Sequence, residues 1–267
     1  MSSPFLSTAL ASSLAGPRVI AVERKSGTVR TTCRHCHARG QLLGSLNGLV
    51  SVETEDSQWV VPATHAVWMP PGVVHGTRSH GAFAGWSAYV LPSACADLPD
   101  QPCILAVSGL LREVVARLAK ADGGSTEAAQ SRLADVLLDE IRALPREALG
   151  LPMPKDARLL KIARALSNHP ADDRRLREWA EWVAMAPRTL SRRFVIETGF
   201  TLTEWRQRVR LLRALEMLAV GKAVTYVALE LGYENVSAFI ALFRRTYGVT
   251  PGQYASFGVL HSDEINR

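Results

Sequence analysis

Between residues 157 and 257 the apolar positions recur at helical spacing, and the whole pattern occurs twice. Leu176, Trp179, Ala180 and Val183 form one apolar stripe, Ala184-Met185-Ala186 interrupts it, and a second helix carries Pro187, Leu190 and Phe194. Val224, Val227, Ala228 and Leu231 repeat the stripe, Gly232-Tyr233-Glu234 the interruption, and Asn235, Phe239 and Phe243 the second helix. An offset of 49 residues pairs Phe194 with Phe243, Gly199 with Gly248, Thr201 with Thr250 and Trp205 with Tyr254. Upstream of the interruptions the offset is 48, pairing Leu176 with Val224 and Ala180 with Ala228, so the second copy carries one extra residue at its turn. Such a repeat sets the architecture before any single motif does, and what it repeats is a helix-turn-helix.

Thr201-x-x-Glu204 is a capping-box signature, and the helix it opens carries Trp205, Val209, Leu212, Leu215 and Leu218 before Gly221, so one long helix separates the two copies. Ahead of them, Asp156 is placed to cap a helix carrying Leu159, Leu160, Ala163 and Leu166, which residues 170–173 end. Thr250-Pro251 caps a last short helix, with proline where a missing N–H costs nothing.

Residues 18 to about 91 follow a different pattern. Segments 19–22, 41–46, 49–54, 59–61, 66–69 and 83–91 are short runs of alternation, valine and aromatics divided by Gly, Pro, Asn and Ser, which predicts strands of a small barrel or jelly roll. From Cys103 onward the spacing predicts helix: Leu110, Leu111, Val114, Val115 and Leu118, then, after a break at 121–125, Leu133, Val136, Leu137, Ile141 and Leu144. These two stripes suit a core or a dimer surface equally well. Prolines at 145, 152 and 154 mark a linker.

The 267 residues suffice for two domains, no run is long enough to cross a membrane as a helix, and no Lys or Arg precedes Arg18 to serve as the positive end of a secretory signal. The net charge of +6 is unevenly placed: residues 157–257 hold sixteen Lys and Arg against nine Asp and Glu, which leaves −1 for the rest. A basic helical region beside a near-neutral one fits a module that grips phosphates joined to one that does not.

A helix-turn-helix reads DNA by laying its second helix in the major groove, where each base pair shows its own donors and acceptors. In the first copy that helix offers Arg188, Thr189, Ser191 and Arg192, and the two arginines one turn apart can both reach guanine edges. In the second copy Asn235, Val236 and Ser237 are the candidates for base contact, the valine by apolar contact with thymine methyls. Arg193, Arg206, Arg244 and Arg245 are the candidates for phosphate.

In the strand-rich part, His35-x-His37, Gln41, Gly48 and Pro70-x-Gly72-x-x-His75 resemble the two sequence motifs of the cupin barrel. The resemblance implies that His35, His37 and His75 project into the barrel mouth. Cupins that bind metal hold it with three histidines and an acid, and here Gln41 stands where the acid would be. Three imidazoles suit a divalent metal such as zinc, iron, copper or nickel; without the carboxylate they also suit a polar effector pocket with no metal. Cys33-Arg34-His35-Cys36-His37 also matches the C-x-x-C-H haem signature, which needs an exported chain; otherwise Cys33 and Cys36 are candidates for a thiol sensor or soft metal ligands. Trp59, Trp68 and Trp86 suit either core packing or aromatic walls of the same cavity.

Taken together, Leu176, Ala180, Met185, residues 189–194, Glu197-Thr198-Gly199, Val227-Ala228, Leu231-Gly232-Tyr233, Phe239, Phe243-Arg244-Arg245, Gly248 and Thr250-Pro251-x-x-Tyr254 resemble the DNA-binding domain of the AraC/XylS family of bacterial transcription regulators. Ala186 departs from the serine cap common there, which weakens that helix start by about 1 kcal/mol. The resemblance implies a two-domain fold: an N-terminal cupin-like all-β barrel followed by amphipathic helices, and a C-terminal all-α domain with two helix-turn-helix motifs joined by a long helix. The expected division is a sensing domain over residues 1–100, a helical segment over 101–145 that is a candidate for dimerisation, a linker over 146–156, the DNA-binding domain over 157–257 and a tail over 258–267. The partners implied are double-stranded promoter DNA, a small-molecule effector, a second copy of the chain and, as a candidate, RNA polymerase, with no membrane and a cytoplasmic location. The competing reading is a metal-dependent cupin enzyme with a fused helical domain. Gln41 in place of the acid and the charge on the repeat favour the regulator.

Overall fold

The computed structural model describes residues 5–61, 65–120, 126–147 and 150–259; the break at 121–125 and most of the tail lie outside the described residues. The chain forms two compact units, one of residues 1–55 and 59–150, the other of residues 56–58 and 151–267.

The first unit opens with a short helix, α1 (Thr8–Ala11), and is built on strands β1 (Val19–Ser26), β2 (Thr31–His35), β3 (Gly40–Glu53), β4 (Ser57–Val61, of which Ser57 and Gln58 belong to the second unit), β5 (His65–Met69), β6 (His75–Val90), β7 (Cys103–Ala106) and β8 (Arg146–Glu147). All belong to one barrel-like sheet, in which β6 carries β1 and β2 along one edge and β3 along the other, and β5, β7 and β8 follow from β3. Three sequence expectations are corrected here. The runs 41–46 and 49–54 are one strand, β3, because Asn47-Gly48 makes a bulge against β6 rather than a hairpin turn, with Gly48 at φ 78°. The strand expected at 83–91 begins eight residues earlier, at His75. Residues 103–106, expected as helix, pair with β5 from His65↔Ala106 to Trp68↔Cys103; four residues of mixed apolar spacing do not distinguish the two periods. β2 escapes the alternation test because none of its five residues is fully buried.

Side chains on the two faces of the sheet form two cores. Leu42, Trp68, Trp86, Ala88 and Val90 meet Leu111, Val114 and Val115 of α2 (Gly109–Ala119) and Leu137, Leu138 and Ile141 of α3 (Glu127–Ala143). Most of each stripe is therefore core, while Leu110 of α2 is exposed. Leu43, Val50, Val52, Trp59, Val67, Met69, Phe83 and Ile104 form the other core. All three tryptophans are packing residues, Trp68 and Trp86 on the face that meets the helices. Gly44 is required by this packing, since a methyl group there would overlap the indole of Trp86.

In the second unit a two-residue strand, β9 (Leu151–Pro152), pairs with Ser57 and Gln58. Then follow α4 (Ala157–Asn168), α5 (Leu176–Trp182), α6 (Pro187–Thr198), α7 (Leu202–Ala219), α8 (Val224–Glu230), α9 (Val236–Tyr247) and α10 (Pro251–Val259). α7 packs against α4, α6, α8 and α10. Thr201 and Glu204 form the capping box, and Thr250 with Gln253 makes a second one at α10. The repeat is visible in the packing: Phe194 meets Trp205 edge to face at 5.8 Å, and Phe243 meets Tyr254 at 5.9 Å. α6 and α9 both end on a left-handed glycine, Gly199 and Gly248.

Candidate functional site

α5 with α6, and α8 with α9, are the two helix-turn-helix units. Each turn has one residue in the left-handed region, Ala184 at φ 50° in the first and Gly232 at φ 75° in the second. Each is then locked by one backbone bond, Met185 N–H to Ala180 O at 2.9 Å and Tyr233 N–H to Ala228 O at 3.0 Å. The extra residue of the second copy is Glu234, which falls between this bond and the helix cap Asn235. Ala186 starts α6 with no side-chain cap bond, whereas the Asn235 side chain accepts from the N–H groups of Ser237 and Ala238 at 2.8 and 3.2 Å.

On α6, Leu190 and Phe194 are buried while Arg188, Thr189 and Arg192 are exposed and Ser191 is half-buried. The guanidinium groups of Arg188 and Arg192 have no salt-bridge or hydrogen-bond partner among the described residues. Arg193 is differently placed: it pairs with Asp156 at 2.7 Å and with Glu197 at 3.3 Å, and Glu197 also accepts from the N–H groups of Lys155 and Asp156. Arg193 thus ties α6 to the start of α4. Arg206 donates to the carbonyls of Asp172 and Arg174 at 3.3 and 3.5 Å, and so holds the loop ahead of α5. Asp172 itself is held below the usual carboxylate range by its hydrogen bonds from Arg174. On α9, Ser237, Arg244 and Arg245 are exposed, Val236 is half-buried, and the oxygen of Asn235 is engaged in the cap.

In the first unit the sheet brings His35, His37, Gln41 and His75 together. His35 ends β2 and His75 begins β6, and the two are direct cross-strand partners. The turn after β5 anchors the segment between β2 and β3, Gly72 N–H donating to His37 O at 3.0 Å. The ring centroids lie 4.6 to 5.8 Å apart, and one nitrogen of each ring can be chosen so that all lie within 4.8 Å of one another. Gln41 Oε1 is 3.1 Å from Nε2 of both His37 and His75, and its Nε2 donates to Ser87 Oγ at 2.8 Å and to Tyr89 OH at 3.3 Å. Burial pushes the His75 pKa down to about 4, lowers that of His37, and raises that of the Tyr89 phenol to about 12.

Three neighbours of this cluster escape the sequence reading. Ser87 and Tyr89 could have been found from register, since Tyr89 pairs with Gln41 in the β3–β6 ladder and Ser87 lies two residues along. Arg39 gives no such signal. It is fully buried and donates to the carbonyls of Ser13, Ala15 and Pro17, clamping the segment that leads into β1. Cys33 and Cys36 are exposed and free, and the metal-suited cluster comprises the three histidines without them.

A barrel with a polar end and a helical unit that repeats one groove-reading motif define a ligand-responsive DNA-binding regulator. Residues 19–137 match the AraC-like ligand binding domain, and residues 179–256 match the helix-turn-helix domain. The chain is 35% identical over 221 residues to the HTH-type transcriptional regulator NimR of Escherichia coli K12, covering 82% of this chain and 81% of that one. It is 23% identical over 236 residues to the arabinose operon regulatory protein of Salmonella typhimurium, covering 81% and 83%. ToxT of Vibrio cholerae aligns over 90% of this chain and 98% of its own with a TM-score of 0.39 at 9% identity. The chain belongs to the AraC/XylS family of transcription regulators, with an N-terminal ligand-binding domain and a helix-turn-helix domain that binds DNA.

Proposed function

We propose that this regulator recognises promoter DNA chiefly through α6, with Arg188 and Arg192 reading guanine edges and Thr189 and Ser191 completing the contact. Two exposed arginines one helical turn apart, both without a partner among the described residues, carry this reading. α9 contributes Ser237, Val236 and the free amide N–H groups of Asn235, while Arg244 and Arg245 in its last turn grip phosphate. Arg193 and Arg206 support this surface from within the domain, through the ion pairs and carbonyl contacts described above.

In the same reading the first unit binds the small-molecule effector at the polar end of the barrel, where His35, His37, Gln41 and His75 converge and where the three histidines suit a divalent metal. The effector acts by favouring one arrangement of the two units over another. The working form is a homodimer in the cytoplasm, where the chromosome is, with RNA polymerase as its further partner. The protein is a regulator rather than an enzyme. A gel-shift series at rising salt tests the reading. The affinity for a cognate fragment should fall steeply as counterions compete, and replacing Arg188 and Arg192 together by alanine should abolish preference while leaving weak, salt-sensitive binding. Preference that survives the double replacement would reject it.

A further inference from the structure

Beside α7, the second helix-turn-helix unit meets the loop that leads into the first. A methyl group at Gly232, in the turn of the second unit, would stand 3.3 Å from both Cα and O of Ala171 and 3.1 Å from Nη2 of Arg210. Arg210, on α7, pins this junction. Its Nε donates to Pro170 O at 2.8 Å and its Nη1 to Gly232 O at 3.4 Å, while the guanidinium carbon stands 5.4 Å from the ring centre of Tyr233.

Arg210 makes no salt bridge among the described residues, and burial, with the nearby charge of Arg206, lowers its pKa. Two helix ends answer its charge instead. α4 ends at Asn168 and α8 at Glu230, so Pro170 O and Gly232 O each lie two residues beyond a helix C-terminus, where the partial negative charge of the helix collects. Two carbonyls that come from separate elements call for a planar fork of donors rather than a single ammonium. Arg206, one turn earlier on α7, holds the carbonyls of Asp172 and Arg174 in the same loop, and Arg174 stacks on Trp179 of α5 at 3.6 Å.

The link from α7 to α8 is short and turns at Gly221, with φ 79°. α8 and α10 hold the second unit against α7 itself, whereas Arg210 and Gly232 hold it against the loop of the first. The turn of the first unit has a different residue at the matching place, the exposed Ala184. A chain that lays two recognition helices in successive major grooves has to present them about one turn of DNA apart, roughly 34 Å. One base pair more or less moves the second groove by about 3.4 Å and rotates it by about 35° around the duplex. A pinned second unit does not follow that shift. A loose one does, at the cost of being ordered on the DNA.

We propose that Arg210 is a positioning residue that fixes the separation of the two recognition helices, so that the protein binds sites of a single spacing. The proposal rests on the reading that α6 and α9 both enter DNA. It is tested on full-length wild type, Arg210→Met and Arg210→Lys, each shown to be folded by circular dichroism. Duplexes selected by the wild type from a random pool are remade with one base pair inserted or removed between the two contacted grooves, and affinities are measured at physiological salt. The wild type should bind the altered spacings at least about thirtyfold more weakly than the selected one. Arg210→Met should bind the selected site about tenfold more weakly and discriminate among spacings by less than about threefold. Arg210→Lys should behave alike, because charge without the fork does not hold both carbonyls. A folded variant of either kind that keeps the wild-type spacing ratio would overturn the proposal, as would a wild type indifferent to spacing. Sequence preference at the half-site of α6 is read from the same selection. Preference there without discrimination of spacing removes only this inference, whereas absence of preference at both half-sites removes the reading on which it rests.

Discussion

Phe194 meets Trp205 edge to face with ring centroids 5.8 Å apart, pinning α6 to the start of the long helix α7. The same contact recurs 49 residues later between Phe243 and Tyr254. These two anchors hold each recognition helix by its buried face and leave the opposite face to solvent, so residues on the outer face can be exchanged without disturbing the fold.

Arg188→Ala is expected to change which sequences are bound. A lost bidentate contact to guanine removes about 1–3 kcal/mol of discrimination. Arg244→Ala, by contrast, should weaken binding to all sequences alike. Selection of binding sites from a random pool distinguishes the two variants. A larger change in preference from Arg244→Ala would contradict the assignment of reading to α6.

Ala184→Gly is expected to stabilise the helical unit. Alanine at φ 50° is strained by about 1–2 kcal/mol, and glycine relieves this at some cost in chain entropy, for a net gain of about 0.5–1 kcal/mol. Gly232 already occupies the matching position in the second copy. A urea midpoint that falls rather than rises would show that the turn is not limiting.

Arg39→Met is expected to destabilise the barrel by about 3 kcal/mol, because three carbonyls lose a charged donor in a buried place. The loss should appear with early protease cleavage ahead of β1. Unchanged stability and protection would show that the segment is held by Leu6 and Ala11 against Tyr89 instead.

Acid should destabilise metal-free protein through His75. The ring titrates near 6.5 in the unfolded chain and, desolvated in the fold, only near 4. Between these values the unfolded state binds the extra proton, so stability is full above pH 6.5 and is lost as pH falls toward 4, by on the order of 3 kcal/mol. Denaturant unfolding in chelator across this range checks the slope. A flat profile would mean that the ring is solvated.

The helical unit was legible in the sequence because its signals are local. Caps at Asp156, Thr201 and Thr250, glycines at 199 and 248, and a stripe of period 3.6 each act within one or two turns. The roles of Arg193 and Arg206 were not legible, since each depends on a partner 34 or more residues away. The barrel was harder for the same reason. β2 exists through its pairing with β6, and Cys103–Ala106 is strand because β5 lies beside it. The resemblance to the cupin motifs brought out the three histidines, but Ser87, Tyr89 and Arg39 around them are placed by cross-strand register and by the buried clamp.

Competition measured by fluorescence anisotropy tests the central claim most directly: labelled DNA from the region upstream of the protein's own gene, challenged at physiological salt with unlabelled copies of itself or with shuffled duplex of the same composition. The account predicts that the shuffled duplex competes about a thousandfold less well, as expected for specific over non-specific binding. Equal competition by the two, with or without a ligand in the barrel, would contradict it.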